Sequence, residues 1–127
     1  MKRILLFSAI ILSAFNIYAS TQWIYIITSS NDDVFFIEAN SIQNSGDSYT
    51  YWTKVNYARR NDDGDLSMKA QYTINCRTRE VTPRYFIFYD DIDHKGKTTS
   101  SSHAKSGWVP IPPNTVNWSY YSHVCNK

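Results

Sequence analysis

The chain has 127 residues, with 13 lysine and arginine residues against 11 aspartate and glutamate residues. This length suits one domain with a hydrophobic core, and the nearly balanced charge excludes the strongly basic surface of nucleic-acid-binding proteins. Aromatic residues form 16% of the sequence, which is more than a small core covered on one side requires.

The N-terminal segment has the three parts of a secretory signal peptide. Residues 1–3 include two basic side chains, residues 4–15 form an apolar run, and Ala19 is a small residue suited to cleavage. A membrane-spanning helix needs roughly 20 apolar residues, so we expect cleavage after Ala19 or Ser20 and no integral membrane segment afterwards. The two basic residues leave with the signal peptide, so the remaining domain, residues 20–127, carries no formal net charge.

The sequence after the signal peptide predicts antiparallel β-structure. Residues 23–28 and 34–38 are rich in the β-branched and aromatic side chains that strands prefer, and a Ser-Ser-Asn-Asp-Asp turn separates them. A loop with one helical turn around Ser41 leads to a long third strand over residues 48–58. The sequence Asn-Asp-Asp-Gly-Asp at residues 61–65 then indicates a hairpin.

The fourth predicted strand, residues 66–76, has the clearest alternation of side chains. Apolar residues and Cys76 occupy one face and polar residues the other, which places Cys76 on the core face. A fifth strand covers residues 80–89, where Pro83 must lie at a sheet edge or in a bulge because it cannot donate a ladder hydrogen bond. With a weaker sixth strand at residues 97–103, the sheet is predicted to be an antiparallel meander of about six strands.

The C-terminal segment, residues 107–125, predicts a short helix that covers the sheet. Three prolines prevent regular structure before Asn114, and Asn114 or Thr115 can cap a helix of about ten residues. Its apolar side chains recur at the spacing of one helix face, from Val116 to Val124. A helix of this length is not stable alone, so it must pack on the sheet.

The two cysteines, Cys76 and Cys125, predict a disulfide, because an even number of cysteines in an exported chain is typical of one. The bond would attach the short C-terminal helix to one face of the sheet in an α+β fold. In the entropic model it would stabilise the domain by roughly 4 kcal/mol. Two free buried thiols remain the alternative, and a metal site would need a closer cysteine pair.

Several segments resemble the surface-adhesin protein E family of bacterial envelope proteins. The most specific is Trp-Val-Pro-Ile-Pro-Pro at residues 108–113, followed by a short helix that ends in cysteine. The other matching residues are Trp23, Val34, Phe35, Phe36, Ile37, Ser41, Ile42, Trp52, Tyr57, Ile74, Asn75, Cys76, Val124 and Cys125. The resemblance implies a sheet of about six strands with a disulfide-linked C-terminal helix. It also implies binding to host extracellular-matrix or serum glycoproteins such as laminin and vitronectin.

One departure from that family concerns anchoring. Members displayed on the surface can be lipoproteins, which need a cysteine directly after the signal peptide. No cysteine precedes Cys76 in this chain. We therefore expect an exported protein, periplasmic or secreted, that is not a lipoprotein and reaches the outer surface only with another partner.

Motifs for catalysis or metal binding are weak. Asp91, Asp93 and Gly96 match the start of an EF-hand loop, but Lys95 and Ser102 stand where an oxygen ligand and a bidentate glutamate are needed. A nucleophile elbow is lacking, and the three histidines have no evident acid and nucleophile partners. We expect a non-enzymatic protein without a cofactor or a metal.

The surplus of aromatic residues has two interpretations. In the first, the sheet is covered on one side and the hydroxyl ends of its tyrosines reach water. In the second, one face of the sheet is a Tyr/Trp-rich binding surface. The predicted protein-binding residues, which cluster around the hairpin, are Trp52, Lys54, Arg59, Arg60 and Lys69; a solvated hairpin end is the alternative interpretation of this cluster.

A second function remains open beside host-protein binding. The protein can be a periplasmic structural or assembly factor, or a carrier of a small ligand such as haem, with histidine or tyrosine as the axial ligand.

Overall fold

The structure is a computed structural model that describes residues 20–105 and 107–126. The predicted signal peptide, residues 1–19, lies outside the described residues and stays a prediction. No helix within the described part of the chain has the length and apolar character needed to cross a membrane.

The described residues form one antiparallel sheet and one α-helix, joined by turns. The strand order β1-β2-β4-β5-β6-β7 is a meander, with β3 added to the start of β4 and β8 added to the start of β6. The elements are β1 (Trp23–Thr28), β2 (Val34–Glu38), a 3₁₀ turn (Ala39–Ser41), β3 (Gln43–Ser45), β4 (Ser48–Asn56), β5 (Ser67–Asn75), β6 (Glu80–Tyr89), β7 (Thr98–His103), β8 (Val109–Pro110) and α1 (Val116–Cys125). The predicted antiparallel sheet with a C-terminal helix is confirmed.

Two short strands were not predicted. The strand β3 lies in the segment predicted as a loop, and β8 lies in the segment where prolines were expected to prevent ladder pairing. Two or three residues are too few to show an alternating pattern. Pro110 is tolerated because β8 pairs with β6 at the margin of the sheet, where a missing N–H costs no interior hydrogen bond.

The core lies between α1 and one face of the sheet. Its buried apolar side chains come from β2, β4, β5, β6, the segment before α1 and α1 itself: Ile37, Tyr51, Ile74, Val81, Ile111, Tyr120 and Val124. The rings of Tyr51 and Tyr120 stack with centroids 5.7 Å apart, and the Tyr120 hydroxyl donates a 2.9 Å hydrogen bond to the carbonyl of Phe36. The predicted apolar stripe of the helix therefore packs as expected.

The predicted disulfide between Cys76 and Cys125 is present, with a Cα–Cα distance of 5.7 Å. It joins the end of α1 to the residue after β5. Thr115 caps the other end of the helix, because its hydroxyl accepts a hydrogen bond from the backbone N–H of Trp118. The helix is thus fixed at both ends, covalently at one and by a cap at the other.

Pro83 lies next to a bulge in β6, as its position in the sequence predicted. Gln71 pairs with Tyr85 and Tyr72 pairs with Pro83, so Arg84 has no partner residue in β5. A bulge re-aims the side chain of the extra residue. Arg84 is exposed as a result.

Candidate functional site

The sheet face opposite α1, called the open face here, carries two clusters of aromatic and charged side chains. The strands alternate strictly along most of their length, so one set of side chains meets the core and the other set meets this face. Polar side chains of β5 on this face are also buried: Ser67 is fully buried and Thr73 nearly so. Both faces of the sheet are therefore partly covered.

The first group, the Lys54 cluster, consists of Trp23, Phe36, Lys54, Asp93 and His94. The ammonium of Lys54 lies 4.7 Å from the ring centroid of Trp23 and 4.6 Å from that of Phe36. It also forms an ion pair with Asp93 over 3.2 Å, although Lys54 is only 6% exposed. Cation–π contacts and a paired carboxylate compensate for the desolvation of a buried ammonium.

Asp93 and His94 belong to the loop after β6 and hold it against the open face. Asn56 donates a 2.7 Å hydrogen bond to the Asp93 carboxylate, and this bond, helped by Lys54, lowers the pKa of Asp93 against the opposing effect of burial. The His94 ring lies 5.4 Å from that of Trp23. Burial, with the charges of nearby lysines, lowers the pKa of His94, so its ring is neutral at pH 7.

The second group, the Trp52 cluster, consists of Trp52, Lys69, Tyr85 and His103. The rings of Trp52 and Tyr85 meet edge to face with centroids 6.1 Å apart, and those of Tyr85 and His103 do the same at 4.6 Å. The ammonium of Lys69 lies 5.4 Å from the Trp52 ring centroid. Burial lowers the pKa of Lys69, and Glu38 opposes that effect.

A groove of about 620 Å³ lies on the Trp52 cluster and extends to the bulge in β6. Gln71, Arg84 and Ile87 line it together with Trp52 and Tyr85. Sequence reasoning did not identify Gln71, Arg84, Tyr85 or His103 as site residues. The signal available in the sequence was the succession of two hairpins, β4 with β5 and β6 with β7. When these hairpins pair through β5 and β6, alternate residues of all four strands lie on one face of the sheet.

The structure does not bring the five predicted binding residues together. Trp52, Lys54 and Lys69 share the open face, whereas Arg59 and Arg60 lie in the exposed loop after β4. Arg60 donates hydrogen bonds to the carbonyls of Gly64 at 2.9 Å and Asp90 at 3.1 Å. It therefore braces the hairpin end.

Arg59 lines a shallow pocket of its own at the hairpin end, with Asp33 and Tyr57 among its neighbours. Burial, with the nearby carboxylates of Asp33 and Asp65, raises the pKa of Tyr57 to about 12. Asp33 also accepts a 2.9 Å hydrogen bond from the backbone N–H of Ala58. The surroundings of Arg59 are thus acidic, unlike those of the groove.

A family model described as "Surface-adhesin protein E" matches residues 23–126. The chain belongs to the surface-adhesin protein E family. A search of curated proteins found no match. The predicted family is thus confirmed, and membership implies an exported or surface-located adhesin.

Solved structures of Haemophilus influenzae protein E have the same fold as this adhesin E chain. A selenomethionine form has a TM-score of 0.61 at 18% identity and covers 80% of this chain and 85% of that one. Crystal form II has a TM-score of 0.60 at 17% identity and covers 82% and 87%, respectively. Protein E from a non-typeable strain has a TM-score of 0.57 at 16% identity and covers 82% and 75%.

The adhesin E domain also has a smaller apolar pocket, of about 310 Å³, between the start of α1 and the sheet. Phe35, Val55 and Met68 line its sheet side and Val116 its helix side. Within the described residues, no group of three or more histidine, cysteine, aspartate or glutamate side chains is placed to hold a metal ion. The pocket and the groove thus offer contact by packing, hydrogen bonding and charge.

Proposed function

We propose that this protein is an exported, non-enzymatic adhesin that binds host extracellular-matrix or serum glycoproteins of the laminin or vitronectin type. Membership of the surface-adhesin protein E family supports the adhesin role. The proposal includes cleavage of the predicted signal peptide and a single binding domain over residues 20–127.

The observation that carries the proposed site is the Trp52 cluster. A few residues carry most of the binding energy at a protein interface, and tryptophan, tyrosine and arginine are enriched among them because they combine large apolar area with a polar group. Trp52 and Tyr85 are half-buried and held by neighbours, so their rings are ordered before a partner arrives. His103 at the margin is exposed.

The five residues predicted for protein binding divide into three roles in this proposal. Trp52 and Lys69 contact the partner from the open face, while the ammonium of Lys54 is engaged with Asp93 and two rings inside the domain. Arg59 and Arg60 form a separate surface at the hairpin end. The acidic surroundings of Arg59 and the engagement of Arg60 with two backbone carbonyls favour the open face as the first site to test.

The test measures binding of the purified, oxidised protein to immobilised laminin and vitronectin. Trp52→Ala and Tyr85→Ala should each weaken binding by at least about tenfold, because each removes a ring of the cluster. Arg59→Ala is the matched control at the hairpin end and should bind as the unaltered protein does. Circular dichroism and thermal unfolding establish that each variant is folded.

Other results would redirect or end the proposal. Loss of binding in Arg59→Ala with retention in Trp52→Ala would move the site to the hairpin end. Failure of the unaltered protein to bind any host glycoprotein, together with protection from protease added to intact cells, would refute the adhesin role. A Soret band on haem titration, lost on substitution of one histidine or tyrosine, would then support the carrier hypothesis.

A further inference from the structure

We propose that the groove on the Trp52 cluster binds an acidic saccharide, that is, a sugar that carries a carboxylate or a sulfate. The inference rests on the proposed function, since it identifies the glycan of a host glycoprotein as the part that this face contacts. Four features of the groove support it: its aromatic floor, its free polar groups, its charge and its place on the sheet.

The floor of the groove is aromatic and open. Trp52 and Tyr85 meet at an interplanar angle of 73°, and Tyr85 and His103 at 78°. A stacked pair would hide both facing surfaces, whereas perpendicular rings leave part of their faces for a ligand. A sugar ring presents C–H groups on one side and packs this side against an aromatic surface while its hydroxyls remain free to hydrogen-bond.

The margin of the groove carries polar groups that the domain itself does not use. Within the described residues, neither the amide of Gln71 nor the guanidinium of Arg84 forms a hydrogen bond or an ion pair. Gln71 supplies both donors and an acceptor, and Arg84 supplies a planar fork of donors. Hydroxyls of a sugar and its acidic group need such partners, because a polar group that is desolvated on binding costs free energy unless it is paired.

The charge of the groove favours an anion. None of the described residues that line it carries a carboxylate. Arg84 is exposed at the bulge, and Lys69 lies over the Trp52 ring beside the groove. Arginine pairs with carboxylates and sulfated groups through two parallel hydrogen bonds, so the bulge places a specific anion-binding group at the margin of an aromatic floor.

The position of the groove favours a saccharide over an extended peptide. Peptides that bind sheets do so by adding a strand to unpaired backbone groups at an edge. Trp52 and Gln71 are partners within the paired ladder of β4 and β5, and Tyr85 pairs on both of its sides. Pro83 has no N–H to offer. The floor of the groove, formed by Trp52 and Tyr85, therefore presents side chains of paired strands and not a backbone edge.

The experiment titrates the purified, oxidised protein with three defined probes and follows binding by calorimetry. Sialyllactose carries a carboxylate, a heparin-derived tetrasaccharide carries sulfates and carboxylates, and lactose carries neither. At least one of the acidic saccharides should bind and lactose should not. Binding of sialyllactose shows that a carboxylate suffices, and binding of the heparin-derived tetrasaccharide alone shows that the site requires sulfate. Absence of binding by both acidic saccharides at millimolar concentration overturns the inference.

The variants distinguish a built site from diffuse attraction. Arg84→Gln should weaken binding of the acidic saccharide by about tenfold or more, because it removes a charge-assisted pair from an exposed position without removing a core contact. Arg59→Ala removes an equal charge at the hairpin end and should leave binding unchanged. Equal losses in the two variants, or equal competition by an acidic peptide, overturn the inference.

Laminin from which the glycans have been removed enzymatically separates this inference from the proposed function. Strong weakening of binding after glycan removal supports both. Unchanged binding overturns the saccharide inference and leaves the adhesin role in place. No binding to laminin or vitronectin with or without glycans, and none to the saccharides, overturns both together.

Discussion

Lys54 and Asp93 form an ion pair that ties the loop after β6 to the open face of the sheet. The ammonium lies 3.2 Å from the carboxylate, with the lysine side chain 7% exposed and the aspartate 41% exposed. The pair joins residues 39 positions apart in sequence, and no sequence pattern connects them. It decides which part of the open face is covered and which part remains free.

Removal of the lysine should destabilise the domain. Lys54→Ala should lower the free energy of unfolding by about 2 kcal/mol, since it removes two cation–π contacts and leaves Asp93 without its cation. Chemical denaturation at neutral pH measures the change. Lys105→Ala, in an exposed position, is the matched control, and a Lys54→Ala variant as stable as this control would contradict the structural role of the pair.

Loss of the disulfide should free the helix from the sheet. A Cys76→Ser, Cys125→Ser double variant should lose about 2–4 kcal/mol of stability, because the unfolded chain is no longer restricted by the closed loop. Urea denaturation of the oxidised protein and of the double variant gives the difference. Alkylation before reduction should find no free thiol; two alkylated cysteines in the unreduced protein would refute the bond.

Two tyrosines should respond in opposite ways to loss of the hydroxyl. Tyr120→Phe removes the hydrogen bond to the carbonyl of Phe36 and should cost about 1 kcal/mol. The buried hydroxyl of Tyr51 has no hydrogen-bond partner within the described residues, so Tyr51→Phe should be neutral or stabilising. Thermal unfolding of the two variants in parallel makes each the control for the other.

The free energy of unfolding of the domain should decrease as the pH falls through a window set by the pKa of His94. Its folded-state pKa lies below the usual 6.5 because of burial and the charges of Lys69 and Lys54, against the opposing charge of Asp93. Below pH 6.5, His94 therefore binds a proton more readily in the unfolded chain than in the folded chain. The contribution of neutral His94 to stability is fully present above pH 6.5 and is lost as the pH falls towards the folded-state pKa.

The measurement is the urea midpoint as a function of pH for the unaltered protein and for His94→Gln. The variant should show a shallower fall below pH 6.5. His123→Gln, on α1, is the matched histidine substitution for comparison. Asp93 should act separately and at lower pH, since its lowered pKa gives stability that is present above 3.8 and lost below it. Identical slopes in all three proteins would contradict the assignment to His94.

Much of the scaffold followed from local patterns. The alternation around Cys76, the bulge at Pro83 and the cap at Thr115 each depend on residues close in sequence, and all three are present. The two shortest strands lacked such a pattern. The site was predicted less completely: Trp52 and Lys69 lie together on the open face, but Arg59 and Arg60 lie elsewhere.

The sequence by itself determined the antiparallel meander and the disulfide-linked helix, because strand periodicity, capping and cysteine pairing are local or covalent properties. It also indicated the family, through the resemblance of residues 108–113 and the cysteine-ended helix that follows. Only the tertiary structure decided that Lys54 is internal, that Trp52, Tyr85 and His103 meet across β4, β6 and β7, and that Arg84 projects beside them. Those relationships depend on the register of several strand pairs at once and on the loop that folds back over the sheet. A shift of one residue in the register of a strand would move every side chain of that strand to the other face of the sheet.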